Sequence, residues 1–472
     1  MKKVLNRSLM TWFIAFAFFI GLGYFVINLV IHSSEWAQKP MNAHLSVTGL
    51  AQAGDILDRN GDVLATSDDN GNRHYHSDYS TRLALLHAVG DDSVNISTAL
   101  QSVYRTGLTG YNYLLGLGLP QSFRSSSDIV TTLDANSCAA AYNAMASRGY
   151  KGACVIYNYK TGEIICDVST PTYDPYDPVE IKEGDDTYDG VYLDNAVSST
   201  YPPGSTFKIV TGAAAIETIP GAEDRLLYCD GGKIIGGEYV TCVEPHGEIN
   251  MKEAMAVSCN IYFAELAVEL GPDVMTQYAE KFGYNNEFKV DANTLAMSRY
   301  NVKGASTSSL AWSGVGQYTD MANPFHQMII AGAIANGGTP VEPYMVENVT
   351  SIFEFNKIIP GAHGKNGTRM INSSTANTLG DMMRYTISEH YGDAMFGDLH
   401  VAAKTGTAEV ADGEDDGWII GYVTDDDCPL AFAVCIEHGG FGIQSAGFVA
   451  GEALPAAAKA TATWSSCRIP TV

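Results

Sequence analysis

The longest apolar run lies near the start of the chain. Leu9 to Ile31 holds 23 residues without a charge, rich in Phe, Ile and Leu. That length crosses a hydrocarbon core of about 30 Å as a single helix. The run has no polar face, which a surface helix of a soluble core would need. Lys2, Lys3 and Arg7 precede it, so the positive-inside rule leaves residues 1–8 in the cytoplasm and all that follows outside. A cleaved signal would have a shorter apolar core and a small-residue cleavage site, so an uncleaved anchor is expected.

Beyond the anchor the pattern turns to short elements. Ile56-Leu57 and Val63-Leu64 flank Arg59-Asn60-Gly61, a hairpin signature. Ile129 to Leu133 reads as a strand. Asp134 then caps a helix running to Arg148, with Gly149 as its stop. Ala153 to Val168 predicts a hairpin turning at Lys160-Thr-Gly162. Three further strands follow at Lys404–Thr407, Gly417–Val423 and Leu430–Glu437. The Ala-rich Ala446–Lys459 predicts a closing helix that Pro455 should kink or delay. Helices set between the strands of an antiparallel sheet give an α+β fold, α/β in the broad sense. The expected division is a tail at 1–8, an anchor at 9–31, a small domain at 32–127 and a large one at 128–472. No internal repeat is visible.

Composition narrows the function classes. With 28 Lys and Arg against 53 Asp and Glu, the net charge is -25, which would repel nucleic acid at every phosphate. The charge reads as a solvated acidic surface. Of nine cysteines, Cys229 and Cys242 flank a short Gly-rich segment outside the membrane, where a disulfide and two free thiols are both open. The eleven His are scattered and no Cys-x-x-Cys occurs, so no metal and no cofactor is expected, and His246 reads as structural.

Three motifs carry chemistry, in a fixed order: Ser205-Thr-Phe-Lys208, Ser258-Cys-Asn260 and Lys404-Thr-Gly-Thr407. Pro202-Pro203-Gly204 bars helix before the first, and Phe207 to Ile216 is apolar on nearly every side. Ser205 is therefore expected at the N-terminus of a buried helix, with Lys208 one turn away on the same face. A buried Lys208 near a second cation would lose its proton readily and serve as a base. Ser258 and Asn260 lie two apart in an extended turn, with Cys259 facing the core; alone, Ser258 reads better as a helix cap. Together the motifs supply a nucleophile, a base, a relay, an amide clamp and a cation for acyl transfer.

The ordered triple resembles the penicillin-recognising acyl-serine transferases, which comprise penicillin-binding proteins and serine β-lactamases. Tyr201-Pro-Pro-Gly-Ser-Thr-Phe-Lys208, Gly152 to Ile165, Pro171-Thr-Tyr-Asp-Pro175, His246-Gly247, Ala335-Asn-Gly-Gly338 and Gly417-Trp-Ile-Ile-Gly-Tyr422 extend the likeness over roughly residues 130 to 460. The region before it is too small for the glycosyltransferase domain of bifunctional relatives. The chain thus looks like the monofunctional, class B kind, with residues 32–127 as a pedestal and 128–472 as the transpeptidase domain. Ala53 departs from the Arg that usually opens the pedestal hairpin, and Gln317-Tyr318 replaces the family's Gln-Gly.

The resemblance implies roles. Ser205 is the nucleophile, Lys208 the base, Ser258 the proton relay and Asn260 a partner for the substrate amide. Lys404 and Thr405 hold the substrate carboxylate, Gly406 admits the acyl chain, and the N–H groups of Ser205 and Thr407 form the oxyanion hole. The implied substrates are peptidoglycan stem peptides, cross-linked by D,D-transpeptidation, and β-lactams are the implied inhibitors. A separate glycan polymerase in the membrane is the implied partner. A β-lactamase is disfavoured: no Glu between Asn260 and Lys404 has Asn four residues on. A D,D-carboxypeptidase, with water as acceptor, and a penicillin-binding scaffold remain open.

Overall fold

The computed structural model describes residues 2–37, 50, 53–109, 111–112, 117–118, 127–181, 186–350, 364–411 and 413–467. Part of the 32–127 stretch lies outside the described residues.

Helix α1 (Lys2–Ala37) carries the apolar run, and over Arg7–Asn28 it is long and apolar enough to cross a membrane. Strands β1 (Ile56–Leu57), β2 (Val63–Ser67) and β3 (Arg73–Tyr75) follow as an antiparallel meander. The expected β1–β2 turn is held by Asp58, whose Oδ1 accepts from the N–H groups of Asn60 at 2.7 Å and Asp62 at 2.9 Å. β4 (Asp128–Thr131) leads into α2 (Ala135–Ser147), capped by Asp134 as expected: its carboxylate accepts from Ser137 N–H at 2.7 Å. β5 (Lys151–Asn158) and β6 (Ile164–Thr170) form the next hairpin. Its turn is fixed by Asn158 Oδ1, which accepts from Lys160 N–H at 2.9 Å and Thr161 N–H at 3.1 Å.

Then come α3 (Lys208–Thr218) and four short strands, β7 (Leu227–Cys229), β8 (Gly232–Ile235), β9 (Glu238–Thr241) and β10 (Gly247–Ile249). Helices α4 (Met251–Ala256) and α5 (Asn260–Lys281) follow, the latter broken at Gly271, where φ is +77°. α6 (Pro324–Ala335) begins with Pro at its first turn behind an Asn323 cap, a favoured start because proline's missing N–H is not needed there. β11 (Val346–Thr350), α7 (Ser373–Tyr385), β12 (Val401–Ala408), β13 (Asp416–Val423), β14 (Leu430–Glu437) and α8 (Ala446–Cys467) follow, with shorter elements between those named. α8 runs through Pro455 and beyond Lys459. Its start at Ala446 is not delayed.

Two five-stranded sheets organise the chain. The first has the order β11-β4-β1-β2-β3, so Asp128–Thr131 pairs with the N-terminal hairpin (parallel to β1) and draws in Val346–Thr350 from far along the chain. The second, in the order β12-β13-β14-β5-β6, is antiparallel throughout. α2 and α8 cover one of its faces, while α6 packs on the other with α7 beside β12. Covered on both faces, its middle strand β14 reads as an unbroken apolar run from Leu430 to Ile436. α6 is buried all round from Pro324 to Ile334, with His326 and Gln327 as its buried polar side chains.

One core side chain ties this sheet to the first motif. Trp418 on β13 is fully buried, donates from Nε1 to the Pro202 carbonyl at 2.9 Å and meets Tyr201 edge to face. Trp418→Ala is expected to cost roughly 3–5 kcal/mol, the usual penalty for emptying a large buried aromatic site. Urea unfolding would measure it. A loss under about 1 kcal/mol would mean that the site collapses freely around the deletion.

Candidate active site

Pro202 and Pro203 end any helix upstream, so the chain enters the site through one tight 3-10 turn, Gly204–Phe207, before α3 starts at Lys208. Ser205 sits in that turn, half-buried, while Thr206 to Ala215 are buried. The turn packs backbone to backbone against its neighbours. Gly204 (φ +52°) donates to the Gly316 carbonyl at 2.9 Å, and a Cβ there would lie 2.7 Å from the Thr407 carbonyl oxygen. A Cβ on Gly316 (φ +81°) would come within 1.9 Å of the Gly204 carbonyl oxygen. Any side chain at either position would push the nucleophile turn off β12.

Lys208 is the hub. Its Nζ lies 3.0 Å from Ser205 Oγ, 2.6 Å from the Ser258 carbonyl oxygen, 3.0 Å from Ser258 Oγ and 2.7 Å from Asn260 Oδ1. A neutral amine donates to the two closest oxygens and keeps its lone pair for a hydroxyl proton. Burial favours that form, lowering the Lys208 pKa from 10.5 to about 7.

The second motif lies between two helices. α4 ends at Ala256 and α5 starts at Asn260, with Cys259 rather than Ser258 as the cap: Cys259 Sγ accepts from Tyr262 N–H at 3.4 Å. Cys259 is fully buried, as expected. Ser258 holds φ at +55°, a left-handed conformation uncommon for a residue with a Cβ and found more often at functional positions. The Asn260 amide is oriented from behind, since its Nδ2 donates to the Thr241 carbonyl at 2.8 Å and leaves Oδ1 facing Lys208.

The third motif is β12, an outer strand of the second sheet, whose Thr407 is paired with Gly417. Lys404 is fully buried and donates to Ser258 Oγ at 3.1 Å and to the Thr405 carbonyl at 2.7 Å. Burial and then the neighbouring Lys208 hold its pKa well below the usual lysine range. Burial is the leading cause at both lysines, and repulsion from Lys208 adds to it at Lys404. Thr405 is buried and shares a 3.0 Å hydrogen bond with the Tyr391 hydroxyl; Thr407 is half-buried. Gly406 leaves room for close packing, since a Cβ there would lie 3.0 Å from the Pro203 carbonyl oxygen.

The fold therefore gathers Ser205, Lys208, Ser258, Asn260 and Lys404 through shared hydrogen bonds. Lys404 Nζ lies buried, with Ser258 Oγ between it and Lys208 Nζ. Sequence reasoning misses Tyr391, the Thr241 carbonyl and the Trp418–Pro202 link. Tyr391 ends a π-helical turn after α7, and no spacing rule ties such a turn to a strand fourteen residues on. The Gln317-Tyr318 departure has a visible consequence, for Tyr318 is exposed at φ +76°, a conformation glycine would take without strain.

Residues 152–458 match the family model described as the penicillin binding protein transpeptidase domain. Peptidoglycan D,D-transpeptidase PbpA of Mycolicibacterium smegmatis is 28% identical over 351 residues, covering 68% of this chain and 69% of that protein. Among solved structures, the chain is similar to penicillin-binding protein A from M. tuberculosis in its ceftriaxone acyl-enzyme complex. The TM-score is 0.75 at 24% identity, over 87% of this chain and 99% of the other. The D,D-transpeptidase domain of a peptidoglycan glycosyltransferase from Eggerthella lenta gives a TM-score of 0.71 at 25% identity, over 88% and 99%.

Proposed function

The chain belongs to the penicillin-binding protein transpeptidase family, and from that membership we propose how its own residues carry out peptidoglycan D,D-transpeptidation through an acyl-serine. The observation that carries the reading is the placement of Lys208 Nζ, 3.0 Å from Ser205 Oγ and also within reach of Ser258 and Asn260. Neutral Lys208 takes the Ser205 proton as Oγ attacks the penultimate D-alanine carbonyl of a stem peptide. The N–H groups of Ser205 and Thr407 stabilise the oxyanion. Lys208 returns the proton through Ser258 to the departing D-alanine amine, the amide bond breaks, and an ester to Ser205 remains. An amine from a second stem attacks that ester, forms the cross-link and restores the serine hydroxyl. Asn260 holds the substrate amide, while Thr405 and Thr407 receive its terminal carboxylate under the field of Lys404. A β-lactam acylates the same serine, but its opened ring stays attached and blocks the second amine.

α1 anchors the protein, with Lys2, Lys3 and Arg7 on the cytoplasmic side and the transpeptidase domain outside. The glycan strands come from a separate polymerase in the same membrane.

The test uses the full chain with penicillin G, and mass spectrometry is expected to place the adduct on the peptide containing Ser205. Because the acylating form is the neutral amine, the rate should rise with pH through about 7 and level off above it. A limb near 10 would mean that burial does not lower the Lys208 pKa, and a rate flat from about pH 6 to 11 would mean that Lys208 is not the base. Supplied with stem pentapeptide and an acceptor amine, the enzyme should release D-alanine and form a cross-link. D-Alanine release without a cross-link would reassign it as a carboxypeptidase.

A further inference from the structure

The sequence offers no metal-ligand spacing, yet the fold gathers four donors beside the second motif. Cys229, Cys242, His246 and Cys259 lie with their Sγ and ring nitrogen atoms all within 4.8 Å of one another. They come from β7, the end of the β8–β9 hairpin, the start of β10 and the cap of α5. Backbone bonds set the first three side by side: Cys242 N–H donates to the Gly231 carbonyl, and His246 N–H to the Cys229 carbonyl, both at 3.0 Å. No disulfide joins Cys229 to Cys242; both are free, which closes the alternative the sequence left open. Cys229 Sγ lies 3.3 Å from His246 Nδ1, and Cys242 Sγ lies 3.7 Å from Cys259 Sγ, far beyond an S–S bond.

We propose that these four residues form a structural zinc site that fixes the Ser258-Cys259-Asn260 motif. Zn–S bonds of about 2.3 Å in a tetrahedron place the sulfurs about 3.8 Å apart, the spacing seen for Cys242 and Cys259. Three thiolates and an imidazole are a soft, closed donor set that suits zinc and leaves no open position for catalysis. Binding releases three thiol protons and leaves a net charge of −1. The surroundings compensate that charge: Cys242 Sγ accepts from Asn260 N–H at 3.1 Å and Ile261 N–H at 3.5 Å, and Cys259 Sγ from Tyr262 N–H at 3.4 Å. All three donors belong to the first turn of α5, where the helix dipole favours negative charge. Cys229 and Cys259 are buried, while Cys242 and His246 are half-buried and give the ion a way in.

The link to the catalytic groups is covalent and short. Cys259 separates Ser258 from Asn260, and Cys242 follows Thr241, whose carbonyl orients the Asn260 amide. One ion therefore clamps both sides of the Thr241–Asn260 contact and holds Ser258 in its left-handed conformation. The effect on acylation rests on the acyl-serine reading above; the metal content does not.

The experiment measures metal in the full chain, purified in detergent under reducing conditions with zinc present. About one zinc per chain is expected, and Cys229→Ser and His246→Ala should each lower that at least fivefold. Cys428→Ser, a buried thiol elsewhere, should keep it. Chelation of the wild-type protein, which avoids any folding defect of the variants, should slow penicillin acylation about tenfold, with recovery on adding zinc alone. Less than about 0.2 zinc per chain, or a Cys242–Cys259 disulfide in metal-free protein, would overturn the site. Zinc bound at full occupancy with acylation unchanged by chelation would overturn its hold on the motif. Zinc bound in a protein that never acylates would leave the site standing and remove the acyl-serine reading instead.

Discussion

Ser205→Ala is expected to abolish covalent labelling by penicillin, with no adduct at any pH. The substitution removes one oxygen from a half-buried position and leaves Lys208 with the Ser258 carbonyl and Asn260 Oδ1, its two shortest contacts. The fold should survive, with a stability change of no more than about 1 kcal/mol, because Ser205 contributes a single hydrogen bond to the hub. Fluorescent penicillin on a gel, beside a urea unfolding curve, reads both quantities. A stable label that persists in the variant would place the nucleophile elsewhere. Ser258 Oγ is the other hydroxyl within 3.0 Å of the same amine.

Lys208→Met should slow acylation by about 10²–10⁴, the range expected when a general base is removed. Met fills most of the buried volume, so packing changes little. The cost falls on polarity, since the Ser258 carbonyl and Asn260 Oδ1 lose their donor, at about 1–3 kcal/mol for each buried acceptor left unpaired. Two readouts separate chemistry from folding. The residual rate should lose its limb near pH 7, and urea unfolding should give the loss of stability, so that the rate can be referred to the folded fraction. If the variant acylates at near wild-type rate with the same limb, proton transfer runs instead through Ser258 to Lys404, 3.1 Å beyond it.

What was legible in the sequence was mostly local. Ser205 and Lys208 share a face because they are three residues apart at a helix start, and proline placement marks where that start must be. Apolar runs and turn residues located the strands and hairpins of the second sheet and the capped helix after Asp134. Contacts set by the closing of distant segments were not legible. β4 pairs with the N-terminal hairpin and with Val346–Thr350, a partnership that hydropathy patterning does not encode. The burial of Lys404 was not legible either, because the depth of a side chain depends on what packs over it. The cysteines make the same point. Cys229 and Cys242 suggest a pair because they are near in sequence, whereas the fold sets each beside a different third residue. Pro455 lies inside α8 and does not delay its start, where packing of α8 on α2 and the sheet offsets the local helix penalty.

β12 ends its sheet, so among the described residues one row of its backbone groups faces no partner strand. An extended ligand can dock there through main-chain hydrogen bonds, as peptides do at other open sheet edges. Groups of that kind belong to the backbone and cannot be edited by a point mutation. Under drug selection, a change that repels a β-lactam yet spares the stem peptide therefore has few places to occur. Exposed side chains beside the nucleophile turn are such places, and Tyr318, two residues beyond the Gly316 carbonyl that bonds Gly204, holds a strained backbone that glycine would relieve. Resistance in this enzyme should accumulate along the rim of the cleft before it touches the strand that reads the ligand.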